Sequence, residues 1–212
     1  MNSRWAKPVL FLLCTLPFCV LVYNGFTNNL TANPIKEITH FTGEWALRFL
    51  LITLSITPLR KITRRNALIR FRRMLGLFAF FYACLHFSTY LVLDQFFDWN
   101  EIVLDVAKRP YITVGFTAFV LLIPLAVTST NRMAQRLGNN WRRLHSLIYP
   151  IAVLVIFHYL WLVKADILPP LIYGAILCLL LVLRWPGLQI GKRQVLRHTQ
   201  PERANVSQAT GV

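Results

Sequence analysis

Apolar residues occur along this chain in long blocks, separated by short polar and strongly basic segments. Each block is about 16 to 20 residues long, close to the ~20 residues that a helix needs to cross a bilayer core of ~30 Å. Runs of this length favour membrane spans over the core of a soluble domain. They predict an all-α membrane protein, a six-transmembrane helix bundle with spans at residues 9–26, 41–57, 74–93, 111–127, 144–163 and 168–183.

The composition supports a membrane protein and leaves little room for a soluble domain. Residues are 56% hydrophobic and only 15% charged, with a mean hydropathy of +0.50, whereas soluble domains are about one-quarter charged. The predicted organisation is an N-terminal segment (1–8), a transmembrane domain (9–185) and a basic tail (186–212), with no evident internal repeat. No Gly-x-Gly-x-x-Gly fingerprint follows a strand-like run, so if the protein moves electrons, we expect their donor to be another protein or a small reductant.

The distribution of charge predicts the orientation in the membrane. A net charge of +15 would suggest nucleic-acid binding in a soluble protein, but most of the Lys and Arg residues lie in alternate loops, including 60–73 and 132–143. The positive-inside rule places these loops and both termini in the cytoplasm. Nearly all acidic residues lie on the other side or at its span ends: Glu37, Glu44, Asp94, Asp98, Glu101, Asp105 and Asp166.

Three histidines lie in apolar blocks, where an imidazole is costly unless its nitrogens find partners. His86 and His158 fall at similar depth in the third and fifth spans, in the outer half of the bilayer, and His145 begins the fifth span. Two imidazoles facing each other across a bundle can supply both axial ligands of a haem iron. Two alternatives stay open: hydrogen bonds between helices, each contributing about 1 kcal/mol, and a proton relay in a transporter.

Two further polar features have both a structural and a functional interpretation. Glu44 and Arg48 are four residues apart in the second span, so they can form an ion pair on one helix face; alternatively, Arg48 contacts a haem propionate or a quinone oxygen. The basic loop 60–73 fits topology and anionic lipid headgroups. It also suits the phosphate of a flavin mononucleotide, because arginine side chains match phosphate oxygens.

Several short motifs, in this order and spacing, resemble the ferric-reductase-like transmembrane domain over about residues 5–190. Chain length and the six predicted spans narrow the resemblance to the haem-binding membrane subunits of bacterial periplasmic methionine sulfoxide reductase systems. The motifs are Thr57-Pro58-Leu59-Arg60; Arg72-Arg73-Met74-Leu75-Gly76-Leu77 with Leu85-His86; and Gly138-x-x-Trp141-x-x-Leu144-His145 with Tyr149 and His158.

The resemblance implies a b-type cytochrome in the bacterial inner membrane, with haem b and flavin mononucleotide as associated cofactors. It implies electron transfer from the quinone pool or a cytoplasmic flavin reductase to a periplasmic molybdopterin enzyme that reduces methionine sulfoxide in oxidised proteins. No substrate chemistry, and therefore no catalytic residue, is expected in this chain itself. The alternatives are a ferric- or cupric-reductase membrane module and a proton-coupled transporter.

The resemblance also assigns roles to the three intramembrane histidines. His86 and His158 match the outer pair of haem ligands, and His145 matches an inner-side ligand. Members with four histidines have another histidine about 14 residues before the outer one, where this chain has Arg72. One haem is therefore expected, and a second with two histidine ligands is not supported.

Overall fold

The computed structural model describes residues 5–163 and 166–184, and all regular structure in these ranges is helical. The predicted all-α class is therefore confirmed, while the predicted tail 186–212 lies outside the described residues. A short 3-10 turn, Asn66–Leu68, precedes α3, and a π-helix, Thr89–Asp94, extends it. The α-helices are α1 (Ala6–Phe26), α2 (Pro34–Thr63), α3 (Ile69–Ser88), α4 (Trp99–Lys108), α5 (Pro110–Val127), α6 (Asn131–Leu137), α7 (Asn139–His145), α8 (Ile148–Leu162) and α9 (Leu168–Arg184).

Four helical segments within the described residues are long and apolar enough to cross a membrane: Ala6–Phe26, Asn66–Asp94, Pro110–Val127 and Asn139–Leu162. They contain the first, third, fourth and fifth predicted spans. The sixth predicted span corresponds to α9, which is apolar but has only 17 residues. The second lies inside the 30-residue α2, which also carries charged residues. The protein is thus a helical membrane protein, and the count of six spans stays a prediction.

The structure departs from the sequence-based prediction in two places. The segment 94–110, which connects the third and fourth predicted spans, contains a further helix, α4, whose N-terminus is capped by the Asp98 carboxylate. Capping by a short acidic side chain satisfies backbone N–H groups that would otherwise lack partners. The fifth predicted span is interrupted at Ser146 and Leu147, between α7 and α8. Pro150 therefore falls in the first turn of α8, where its missing N–H does least harm.

Two helix pairs dominate the packing. Helix α2 packs against α3, and α5 packs against α8, with the buried side chains of Leu54, Tyr82 and Ala152 between helices. Large apolar side chains on the outside of the bundle, such as Phe11, Leu12 and Leu171, are exposed. An apolar exterior is expected of a protein whose surroundings are lipid.

Helix α1 is attached to the bundle through a hydroxyl inserted into its backbone. The Tyr82 hydroxyl accepts a hydrogen bond from the Phe18 N–H (3.0 Å) and donates one to the Cys14 carbonyl (3.0 Å). These two backbone groups would normally bond each other, four residues apart in the helix. The inserted Tyr82 hydroxyl lies directly beside Pro17. A side chain that enters the backbone hydrogen bonds of a helix in this way is a known cause of helix bending.

We expect Tyr82→Phe to lower the free energy of unfolding by about 1–3 kcal/mol, because it removes the two hydrogen bonds that attach α1 to α3. Thermal unfolding in detergent, followed by size-exclusion chromatography, measures the loss. Tyr90→Phe is the matched control, since the buried Tyr90 hydroxyl has no hydrogen-bond partner in the described part of the chain. Equal melting temperatures for the two variants would contradict the assigned role of Tyr82.

Candidate functional site

The structure brings His86 and His158 together. They lie on α3 and α8, 72 positions apart in the sequence, and their ring centroids are 6.1 Å apart with an angle of 76° between the planes. Both rings lie inside the bundle, at the place where the α2–α3 pair meets the α5–α8 pair. The two histidines that the sequence singled out for their similar depth therefore form a single site.

Each ring is oriented by a backbone carbonyl of a neighbouring helix. The Nδ1 atom of His86 lies 2.9 Å from the Thr39 oxygen on α2, and that of His158 lies 2.7 Å from the Tyr111 oxygen on α5. Because a carbonyl oxygen only accepts hydrogen bonds, Nδ1 must carry the proton in both rings. The Nε2 atom of each neutral imidazole then keeps its lone pair, which is the state required of a metal ligand.

These two carbonyls were not predicted from the sequence. A main-chain oxygen has no residue-type signature, so neither Thr39 nor Tyr111 attracts attention by its side chain. The only sequence signal is their spacing, because each carbonyl lies 47 residues before the histidine that it orients.

The segment around Tyr111 is fixed at the N-terminal end of α5 by ionic and hydrogen-bonding contacts. Arg109 pairs with Asp105 of α4 (3.3 Å), and the Thr113 hydroxyl donates to the Val106 carbonyl (2.5 Å). A side-chain hydrogen bond with Tyr111 is the main contact that raises the pKa of the Arg109 guanidinium. Nearby charges, including that of Asp105, raise this pKa further. Helix α4 thus holds the start of α5 beside the Tyr111 carbonyl.

His145 lies in a separate position, at the end of α7. Its ring stacks on Trp141 (centroids 3.9 Å apart), and its Nδ1 donates to the Trp141 carbonyl at 3.2 Å. The Trp141 indole in turn donates to the Thr128 carbonyl at 3.0 Å. Gly138, at φ 52°, makes the turn between α6 and α7 in a backbone region that disfavours side chains.

The His145 Nε2 atom is buried and forms no hydrogen bond of normal geometry with the described residues. Its neighbour Arg72, half-buried on α3, is close enough to act on it electrostatically, and Arg72 also interacts with Arg184. The end of α7 therefore places the His145 imidazole near cationic side chains. A second imidazole, comparable to the partner that His86 has in His158, is not among these neighbours.

Glu44 and Arg48 form the predicted ion pair and extend it into a network. Arg48 donates to Glu44 at 2.5 Å and to the Tyr173 hydroxyl of α9 at 2.9 Å, and its guanidinium lies 4.9 Å from the centroid of the Trp45 ring. The Tyr159 hydroxyl of α8 donates to the other Glu44 oxygen at 3.4 Å. The pair thereby joins α2 to α8 and α9, one residue from His158.

Comparisons with known proteins agree on one family. Residues 42–156 match the family described as ferric reductase like transmembrane component. A protein-methionine-sulfoxide reductase heme-binding subunit MsrQ from Herminiimonas arsenicoxydans is 54% identical over 198 residues, covering 91% of each chain. A protein of the same name from Xanthomonas campestris pv. campestris (strain 8004) is 57% identical over 173 residues, covering 81% of this chain and 79% of its own. We found no solved structure that matches.

Proposed function

Because this chain belongs to the ferric-reductase-like transmembrane family, and within it to the haem-binding subunits of methionine sulfoxide reductase, we propose that it is a b-type cytochrome that carries electrons across the bacterial inner membrane. The proposed donor is the quinone pool or a cytoplasmic flavin reductase. The proposed acceptor is a periplasmic molybdopterin-containing methionine sulfoxide reductase. The system would support repair of oxidised periplasmic proteins, with no substrate bond made or broken in this chain.

One observation carries the proposal: two imidazoles from different helices share a site, and each is oriented by a carbonyl through Nδ1. The 6.1 Å between ring centroids is compatible with two metal–imidazole bonds of about 2 Å each. The pair therefore fits the axial ligands of a haem b, and His86 and His158 are the residues that would hold it. Arg48, in its pair with Glu44, offers a cation near this site for an anionic substituent of the haem.

The chain's own residues would control the properties of the site. A bound haem iron supplies one-electron chemistry and leaves the polypeptide unchanged. The Thr39 and Tyr111 carbonyls increase the basicity of the two imidazoles through the Nδ1 hydrogen bonds, and this lowers the reduction potential.

The proposed topology has six spans with both termini in the cytoplasm, so that the His86–His158 site lies in the periplasmic half of the membrane. The charge distribution supports this orientation. His145, with a buried and unbonded Nε2, is the residue available to a second haem among those described. Members with four histidines have a partner for this inner ligand at the position where this chain has Arg72. The family resemblance and the basic loop 60–73 support the proposal that the protein binds flavin mononucleotide.

Family membership favours electron transfer over the two alternatives. The relatives that match most of the chain carry the name of a haem-binding subunit, and not that of a ferric reductase or a transporter. A proton relay would also require the histidines to form a chain, but His145 lies apart from the other two.

The proposed function predicts a visible spectrum that no transporter would give. We expect the purified protein, after expression with sufficient haem supply, to show a sharp b-type α-band in the dithionite-reduced minus oxidised difference spectrum. About one haem per chain is expected from the one complete histidine pair in the described residues. A colourless protein that elutes as a single folded species would contradict the proposal and favour a hydrogen-bonding or proton-transfer role for the histidines.

A further inference from the structure

Each ring of the His86–His158 pair packs directly against a glycine of the helix that orients it. A Cβ atom built on Gly43 would lie 3.0 Å from both Cε1 and Nδ1 of His86. A Cβ atom on Gly115 would lie 2.6 Å from Nδ1 and 2.8 Å from Cε1 of His158. Real Cβ contacts are almost never shorter than 3.0 Å, so the present position of the His158 ring requires glycine at position 115.

The same arrangement occurs twice in the chain with identical spacing. Gly43 lies four residues after Thr39, and Gly115 lies four residues after Tyr111. In both cases the oriented histidine is 47 residues after the carbonyl. Residues four apart lie on the same face of a helix. One face of α2 and one face of α5 therefore each present to a histidine ring both a backbone carbonyl and a glycine, which has no side chain. Such repetition is hard to attribute to incidental packing.

We propose that Gly43 and Gly115 are positioning residues for the two haem ligands, an inference that rests on the proposed function. Each glycine allows the imidazole to approach the helix closely enough for Nδ1 to reach the carbonyl one turn before it. The Nδ1–Cε1 edge of the ring then faces the helix, and Nε2 lies on the edge directed away from it. The glycines thus determine both the hydrogen bond and the direction of the lone pair.

A methyl group at either position would force the ring away from the helix. The ring cannot move without lengthening the bond to Thr39 or Tyr111, which fixes its tautomer and orientation. Loss of such an orienting contact typically weakens metal binding about 10- to 100-fold. The effect should be larger for Gly115→Ala, because its new Cβ meets the ring at 2.6 Å, whereas Gly43→Ala requires a shift of only a few tenths of an ångström.

Two other glycines of the bundle provide matched controls. A Cβ on Gly174 of α9 would meet the Ile156 side chain at 3.5 Å, and one on Gly76 of α3 would meet Thr53 at 3.6 Å. Both distances are ordinary van der Waals contacts. Gly174→Ala and Gly76→Ala therefore introduce the same methyl group in the same bundle without touching either histidine.

The test compares the four alanine variants with the wild type by haem-to-protein ratio, midpoint potential and electron paramagnetic resonance. The last of these responds to the angle between the two axial ring planes, so it reports ring position directly. We expect Gly115→Ala to weaken haem binding about 10- to 100-fold, or to retain haem with a raised potential and an altered low-spin signal. The haem ratio, potential and resonance signal of Gly43→Ala should change in the same direction but by less. The two control variants should resemble the wild type.

The outcomes separate this inference from the proposed function. A wild-type protein without haem would overturn both. A wild type that binds haem, together with a Gly115→Ala variant of unchanged haem ratio, potential and resonance signal, would overturn the positioning role alone. Equal loss in Gly115→Ala and Gly174→Ala would also overturn it, since the effect would then follow from helix packing in general. Thermal unfolding of each apoprotein identifies variants that merely fail to fold.

Discussion

Replacing His86 or His158 with alanine is expected to abolish the b-type difference spectrum, whereas His145→Ala should leave the main α-band in place. The first two residues share one site, with ring centroids 6.1 Å apart, so loss of either would remove one of the two imidazoles proposed to hold the haem. His145 lies at the end of α7 and packs on Trp141 instead. The measurement is the dithionite-reduced minus oxidised spectrum of each purified variant, normalised to protein.

His40→Ala provides the control for a histidine in the same helical framework. His40 lies on α2, partly buried and near the N-terminal end of that helix, and it is not part of the His86–His158 pair. The variant should therefore keep the wild-type spectrum. Equal haem content in the His86, His158 and His145 variants would contradict the ligand assignment. A partial loss of haem in the His145 variant would indicate a second haem held by that residue.

The sequence was sufficient to single out the two histidines that the structure brings together. An imidazole in an apolar block stands out because its burial is costly, and equal depth on two blocks indicates that the two rings can meet. The glycines that receive the rings were not identified, because small residues are frequent in membrane helices wherever two helices pack closely. Only a structure reveals that Gly43 and Gly115 occupy matching places, each in contact with one histidine.

Helix boundaries were predicted less well than helix identity, for specific physical reasons. The apolar pattern reports burial in lipid, so it located the centres of the long helices. It does not detect a polar amphipathic helix such as α4, which depends on the Asp98 cap. Nor does it detect the break between α7 and α8, because Ser146 and Leu147 fall at the very start of the predicted block, two and three residues after Leu144.

Removing only one member of the Glu44–Arg48 pair is expected to destabilise the protein more than removing both. Arg48→Met leaves the Glu44 carboxylate in the bundle with only the weak contact to Tyr159. Glu44 lies near the end of its predicted span and is partly exposed, so the cost is that of a polar group left without its partner, about 1–3 kcal/mol, and we expect the free energy of unfolding to fall by about this amount. Titration of the folded protein in mixed micelles with a denaturing detergent measures it.

The double variant Glu44→Gln/Arg48→Met tests whether the loss of stability arises from breaking the ion pair. It has no charge to bury at these two positions, and the introduced glutamine side chain can still accept from the Tyr159 hydroxyl, so most of the lost stability should return. A coupling energy of about 0.5–3 kcal/mol is expected for residues in direct contact. Additive losses would contradict an ion pair as the main role of these residues.

Haem content of the same variants decides between the two interpretations of Arg48. If the guanidinium serves only Glu44 and Tyr173, the double variant should bind haem as the wild type does, because stability is restored and both axial ligands remain. If Arg48 instead holds an anionic group of a bound cofactor, every variant that lacks Arg48 should lose haem affinity, including the stable double variant. Glu44→Gln, which retains the cation, should then bind haem normally. The contrast between these two variants isolates a contact with the cofactor from a contribution to folding.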